Sequence, residues 1–319
     1  MSSLPGRFAS AFLPVLIMAG GGSLAGCISG SAANTRQQLV IAHRGASGYL
    51  PEHTLAAYAL AHGQGADIIE PDVALTRDGV LICVHDLTAE GVTNVAEMFP
   101  GRARPDGKWY YADLTLAEVK QLSVIGRADR RAACGSVGGL TVPTLDEMIR
   151  LIQTLNERTG RRVGIIPEPK SPRFHIDSGM PIEPVLVRAL AAHGYTSLGA
   201  DKGGATIQCF DLEALRRIRQ EEQCALPLAW TFGEDPDPAL LADAATFVQG
   251  LGPSRKLLEP PEGSLRPRTD LIAFARAHGL FVATWTLGAE PEATRRLFSR
   301  GVDAVFIDYP DVGVDARGR

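Results

Sequence analysis

This chain of 319 residues lacks four things, and each absence narrows what it can be. Its five cysteines stand at Cys27, Cys83, Cys134, Cys209 and Cys224, and none has the spacing of a zinc-ligand set. There is no strong charge of either sign. The formal net charge is -4, and Lys and Arg are scattered, with short clusters such as Arg127 to Arg131 that read as solvated surface. Neither nucleic acid nor an anionic membrane surface is called for as a partner. The apolar run from Phe8 to Met18 is too short to span a bilayer. Finally, no glycine-rich phosphate loop follows the first strand. Gly45-Ala46-Ser47-Gly48 is a weak version, which makes an open doubly wound sheet the lesser alternative. What is present is an apolar fraction of 45%, enough for a substantial core, in a length that suits a single α/β barrel.

The chain is organised around residues 39 to 86. Val40-Ile41-Ala42 reads as a buried strand stopping at His43-Arg44-Gly45. Thr54 to Gln64 has helical spacing, with Thr54 as N-cap and Gly63 or Gly65 as the stop. Asp67 to Leu75 is a second apolar strand, interrupted by Glu70 and Asp72. Val80 to Val84 is a third, ending in His85-Asp86, and Thr76-Arg77-Asp78-Gly79 between them signals a hairpin. Glu70 and Asp72 are two apart and so share a strand face. A two-residue turn sets Asp72 opposite His85, and a four-residue turn sets Glu70 there; a three-residue turn breaks the arrangement. Carboxylates in strands of Ile, Val and Leu are costly to bury unpaired, so the set asks for a cation.

His43-Arg44-Gly45, Pro51-Glu52-His53-Thr54, Glu70-Pro71-Asp72 and His85-Asp86 resemble, in order and spacing, the motifs of glycerophosphodiester phosphodiesterases of the bacterial periplasmic kind. The resemblance implies that Glu70, Asp72 and Glu168 hold a metal. Their oxygens suit a hard divalent ion, Ca²⁺ by analogy with the bacterial members, with Mg²⁺ as the alternative. It also implies His43 as general base and His85 as general acid, in keeping with an imidazole that changes charge near neutrality. Arg44 offers a planar grip on phosphate, Lys170 adds a point charge, Glu52 orients His43 or Arg44 or touches the ligand, and Trp285 joins the substrate-binding set. The implied reaction is hydrolysis of small glycerophosphodiesters to sn-glycerol 3-phosphate and an alcohol. A phospholipase D-like action on lysolipids and a noncatalytic, ligand-binding lipoprotein are the rival readings.

The ends and the remainder fill in the organisation. Arg7, the apolar run and Leu24-Ala25-Gly26-Cys27 resemble a bacterial lipoprotein signal, with Cys27 lipidated. Residues 1–26 would be removed, 27–38 would form a tether, and 39–319 the catalytic body, exported to the periplasm or cell surface and held to a membrane by its lipid. Cys83 and Cys209 read as small buried apolar residues; Cys134 and Cys224 are the better candidates for a disulfide. Residues 88–142 break the barrel rhythm and read as a lid-like insertion. There Trp109, Tyr110 and Tyr111 either line the substrate entrance or anchor the insertion. Strands beginning near 39, 67, 162, 206, 226, 246, 281 and 303, alternating with helices, argue a (β/α)8 TIM barrel with this insertion after the second strand and its hairpin. His43, Glu70, Asp72, Glu168, Lys170, Trp285 and Asp308 then fall near the C-terminal strand ends. Pro71 and Pro169 remove sheet donors beside the acids, so bulged or unpaired strand ends are expected. His53, His62, His175, His193 and His278 are assigned no chemistry.

Overall fold

The computed structural model describes residues 38–127, 138–196, 203–260, 263 and 269–317. The strands are β1 (Leu39–His43), β2 (Ile68–Glu70), β3 (Asp72–Leu75), β4 (Leu81–Cys83), β5 (Gly164–Ile165), β6 (Glu168–Pro169), β7 (Ile207–Cys209), β8 (Leu228–Phe232), β9 (Gly250–Pro253), β10 (Phe281–Leu287) and β11 (Ala304–Ile307). Eight of them form one sheet in the order β5-β2-β1-β11-β10-β9-β8-β7, every pairing parallel. The two edges meet. Ile165 N–H donates to Gly204 O (3.0 Å), Thr206 N–H to Ile165 O (3.1 Å) and Gln208 N–H to Pro167 O (3.0 Å), closing a (β/α)8 barrel as expected. The strand expected to begin near 246 starts later, as β9 at Gly250. Phe247 and Val248 N–H still donate to Ala244 O, closing the turn after helix Pro238–Ala244.

Two barrel strands are broken where proline and acid alternate. β2 stops at Glu70 and resumes as β3 at Asp72; β5 stops at Ile165 and resumes as β6 at Glu168. The continuations leave the main sheet and pair with each other, Asp72 opposite Glu168 and Val73 opposite Pro169. Proline at 71 has no N–H for a ladder, yet its carbonyl accepts from Glu168 N–H (2.9 Å). The break thus brings the carboxylates of two adjacent strands together.

β4 folds back on β3, and here the turn differs from both useful lengths. Val73 pairs with Cys83, Ala74 with Ile82 and Leu75 with Leu81, and Thr76 N–H donates to Val80 O (3.0 Å). The loop is therefore three residues, Arg77-Asp78-Gly79. Thr76 Oγ1 donates to Asp78 Oδ1 (2.7 Å) and accepts from Val80 N–H (3.0 Å), while Gly79 takes the left-handed φ of +76° that such a loop needs. Val84, not His85, lies opposite Asp72, donating N–H to its carbonyl (3.0 Å). The strand-face argument for His85 fails; His85 reaches the rim because the chain has already left the sheet.

Inside the barrel, Ile41, Ile68, Ile166, Ala283, Ala304 and Phe306 form a small apolar cluster. Their neighbours one residue along, such as Val40, Ala42, Ile69, Ile165, Val282 and Val305, pack in the larger outer cluster against helices including Leu55–Gly63 and Leu145–Thr159. Thr54 caps the first of these helices (Ala57 N–H to Oγ1, 3.2 Å) and Thr144 the second, the latter in a capping box with Glu147. Side chains alternate along a strand. Two residues beyond Ile41, Ile68, Ile166, Ala283 and Phe306 stand His43, Glu70, Glu168, Trp285 and Asp308, so one parity carries the barrel interior upward into the site.

The segment after β4 builds its own apolar core, in which Ala89, Val95, Tyr111, Leu114, Val119, Leu122, Val124 and Val142 close over Ala74, Ile82 and Val84 of the hairpin. Tyr111 is buried there, Trp109 packs beside it and donates Nε1–H to Phe99 O (2.8 Å), and Tyr110 stacks on Phe174 at 5.6 Å. All three aromatics anchor this segment. Cys83, Cys209 and Cys224 are buried free thiols; Cys134 and Cys27 lie outside the described residues. Among the described residues, no helix is long and apolar enough to cross a membrane.

Candidate active site

His43, Arg44, Glu70, Asp72, His85, Glu168, Lys170, Gln208, Phe210 and Trp285 line one cavity at the C-terminal mouth of the barrel. At its floor, Glu70, Asp72 and Glu168 are all buried and bring ligand oxygens within 4.8 Å of one another. Their existing partners leave room for more. Glu70 Oε2 accepts Arg44 N–H (2.7 Å) and its Oε1 accepts Gln208 Nε2–H (3.1 Å). Glu168 Oε1 takes Lys170 Nζ (2.5 Å). Asp72 Oδ2 accepts His53 Nε2–H (3.0 Å), while its buried Oδ1 has no hydrogen bond, with Lys170 Nζ 3.5 Å away.

The electrostatics show a cluster short of positive charge. Burial, then the charges of Asp72 and Glu168, push the Glu70 carboxyl well above the usual carboxylate range. Burial and Asp72 push Glu168 up to about 7 despite Lys170. Asp72, against its burial, is held well below its usual range by Lys170, His53 and Arg44. A divalent cation answers both features: it relieves like-charge repulsion among three buried acids and gives a ligand to the Asp72 oxygen that has no hydrogen bond. The all-oxygen donor set fits a hard ion such as calcium or magnesium.

His43 sits at the end of β1 with both ring nitrogens engaged. Nδ1 is 2.7 Å from Asp308 Oδ1, and Arg44 Nε–H donates to Nε2 (3.2 Å). A neutral ring carrying its proton on Nδ1 satisfies both contacts. Burial and the Arg44 charge hold its pKa below the usual histidine value, outweighing Asp308. The result is an imidazole oriented by a carboxylate, with Nε2 as the basic atom. Ser47 Oγ–H donates to Asp308 Oδ1 (2.9 Å) and steadies it.

His85 is held differently. Its Nδ1 lies 2.6 Å from Asp86 Oδ1, and Asp86 Oδ2 meets Arg127 Nη1 (2.9 Å). Arg127 also donates Nε–H and Nη2–H to the two oxygens of Glu52 (2.7 and 2.8 Å). Glu52 in turn accepts Arg44 Nη1–H (3.0 Å). Its carboxyl, against burial, is held down to about 2 by Arg127 and Arg44.

The sequence-derived residues thus converge, with two adjustments. Glu52 stands behind Arg44 and outside the cavity lining, so its contact is with the arginine. Arg127 is no solvated surface residue: its side chain is three-quarters buried, 25% exposed. Three contributors went unassigned in sequence. His53 is buried at φ +58°, one residue before the N-cap, and joins Asp72 to Tyr58 OH (2.8 Å). Gln208 follows the interior parity on β7 and binds Glu70. Phe210 packs edge-on against Trp285 at 5.2 Å across the cavity mouth.

Residues 43–312 match the Glycerophosphoryl diester phosphodiesterase family. A glycerophosphodiester phosphodiesterase of Haemophilus influenzae is 32% identical over 92% of this chain and 95% of its own length. A crystal structure from Silicibacter pomeroyi superposes with a TM-score of 0.71 at 25% identity, covering 88% of this chain and 93% of that one. An Oleispira antarctica phosphodiesterase, solved in complex with the product sn-glycerol-3-phosphate, shares the fold with a TM-score of 0.64 at 24% identity, covering 88% and 96%. By its family match, its close relative and the acid-lined mouth of its barrel, this chain belongs to the glycerophosphoryl diester phosphodiesterase family and is an enzyme of that activity.

Proposed function

We propose that the chain hydrolyses small glycerophosphodiesters, such as glycerophosphocholine or glycerophosphoethanolamine, to sn-glycerol 3-phosphate and an alcohol, with a divalent cation and two histidines. The observation that carries this reading is the pairing of three buried acids with a carboxylate-oriented His43 in one cavity. Glu70, Asp72 and Glu168 would hold calcium, with magnesium as the alternative. When bound, such an ion neutralises phosphodiester charge and acidifies a nearby hydroxyl. Arg44 and Lys170 line the same cavity and offer cationic donors to the phosphate oxygens, and Trp285 with Phe210 covers the carbon skeleton of the substrate.

The proton path is the one the family resemblance implies, and the ring contacts of His43 and His85 support it. His43 Nε2 takes the proton of the glycerol 2-hydroxyl as that oxygen bonds to phosphorus, and Asp308 steadies the imidazolium. The bond to the head-group oxygen breaks, and His85 Nε2 supplies the proton that makes it an alcohol. Water then opens the resulting cyclic phosphate, with the two histidines exchanging roles. Among the described residues of the 88–142 segment, the buried apolar side chains serve its own core and are not available to a lysolipid-binding groove. We further infer that Cys27 carries a lipid anchoring the exported enzyme to a membrane, on the strength of the Leu24-Ala25-Gly26-Cys27 pattern.

The test is release of sn-glycerol 3-phosphate with and without a chelator, in wild type and His43→Ala, on separated membrane and soluble fractions. Turnover should vanish with chelator, return with calcium, fall at least about 10³-fold in His43→Ala and pellet with membranes unless Cys27 is changed to Ser. Full turnover in chelator or in His43→Ala would refute the mechanism, and activity in the soluble fraction would refute the anchor.

A further inference from the structure

Arg127 is placed where a guanidinium decides how two halves of the site fit together. It meets both oxygens of Glu52 at 2.7 and 2.8 Å, Asp86 Oδ2 at 2.9 Å, and lies 3.5 Å from His85 Nδ1. The segment delivering it is fixed just upstream: Val124 N–H donates to Leu140 O and Ile125 N–H to Val92 O, both at 2.8 Å. Its two carboxylate partners stay charged, Glu52 held down to about 2 and Asp86 held well below the usual range by His85 and Arg127. Asp86 uses one oxygen for His85 and the other for Arg127, so the guanidinium fixes the rotation of the carboxylate that orients the ring. That restraint matters because His85 and Asp86 are each about one-third exposed, at 32% and 35%, and sit beyond the last ladder hydrogen bond of the hairpin.

We propose that Arg127 is a positioning residue for proton delivery to the departing alcohol: the chain Arg44–Glu52–Arg127–Asp86–His85 ties the phosphate-facing arginine of the barrel to the histidine carried by the hairpin. The inference rests on His85 being that proton donor. Lysine in place of Arg127 cannot hold Glu52 and Asp86 in one planar fork, so the guanidinium shape, beyond its charge, is required.

Leaving-group dependence tests it, because an acid matters only where the departing oxygen needs a proton. Alcohol release in the first turnover is measured at saturating calcium for glycerophosphocholine and for the p-nitrophenyl ester of glycerol phosphate, in wild type, Arg127→Ala, Arg127→Lys and His85→Ala. Arg127→Ala should lose about 30- to 300-fold in kcat on the choline ester, within the usual range of general acid catalysis, with KM changed less than about threefold. On the p-nitrophenyl ester its loss should shrink to about threefold or less. Arg127→Lys should recover only part, and free guanidinium should partly rescue Arg127→Ala. Equal losses on both esters, a defect confined to KM, or no defect would overturn the proposal. Should Arg127→Ala misfold, Arg127→Lys carries the same comparison. His85→Ala separates this failure from that of the underlying reading: if it keeps full activity on the choline ester, His85 is not the acid; if it alone shows the leaving-group effect, only the role of Arg127 falls.

Discussion

The two histidines occupy one cavity but are built by different means. His43 belongs to the barrel. It ends β1, pairs opposite Glu70 of β2 and is oriented by Asp308, the residue after β11. Its side chain is 14% exposed, against 32% for His85, which lies outside any strand and is oriented by Asp86 and, through it, Arg127. One ring is positioned by sheet register, which a fold specifies for its own stability. The other is positioned by charged side chains on an added segment. Loops at a barrel mouth tolerate change more readily than the strands beneath, so the half of the site on strand ends is set by the fold and the half on the rim by side-chain contacts.

The sharpest way to break this contrast is at Asp308. In Asp308→Asn the amide can donate its N–H to His43 Nδ1, which would move the ring proton to Nε2, the atom that accepts one in the proposed mechanism. The expected outcome is a fall in kcat of roughly 10²- to 10³-fold with thermal stability nearly intact, since Ser47 Oγ can keep its proton on His43 O and accept the second amide hydrogen. Steady-state kinetics beside a melting curve would check it. A loss below about fivefold would mean that β1 geometry alone orients His43, and the likeness of the two carboxylate–histidine pairs would be coincidental.

A smaller effect is expected at His53, which belongs to the barrel half although it touches no substrate-facing space. Its Nε2–H satisfies Asp72 Oδ2 and leaves Oδ1 open toward the acid cluster. Asn tolerates the left-handed backbone found there but is too short to reach Asp72 and Tyr58 together. His53→Asn should weaken calcium binding about 10- to 100-fold, the usual cost of removing a partner behind a metal ligand, while kcat at saturating calcium stays within about fivefold. Calcium titration of activity and calorimetry would measure both; unchanged affinity would confine His53 to packing.

Much of this site was legible because its residues obey strand periodicity. His43, Glu70 and Asp308 end apolar runs of Val, Ile and Phe, and an acid closing a buried strand has few bland explanations. The same rule misled at the hairpin. Register there depends on Thr76 Oγ1 and on Gly79 taking a positive φ, and Asp-Gly is compatible with loops of more than one length. Arg127 was illegible for another reason. Its partners are Glu52 and Asp86, 75 and 41 positions back, and nothing local distinguishes it from the arginines that follow. His53 carried a signal that helix spacing concealed: it precedes the cap, where the backbone is free to turn the ring inward.

The gentlest probe of the barrel half is pH, because burial and mutual repulsion raise the pKa of two of its acids and a cation would lower them again. Burial raises the folded-state pKa of Glu70 and Glu168, the latter up to about 7, above the roughly 4.3 of an unfolded glutamate. A carboxyl raised on folding adds stability that is complete below the unfolded value and is lost as pH rises through the folded one. In metal-free protein the Glu168 share should therefore be lost between about pH 4.3 and 7. Buried histidines with lowered pKa, His43 and His175 among them, act oppositely, losing stability as pH falls below about 6.5. Comparing chelated with calcium-loaded protein at each pH largely removes the contribution of those away from the acids. The gain in Tm on adding calcium should then be larger at pH 8 than at pH 6, by roughly 2–5 °C for about one pKa unit of relieved strain. Equal gains at the two pH values would mean that the three acids are already ionised without a cation, and that Lys170 and Arg44 alone balance them.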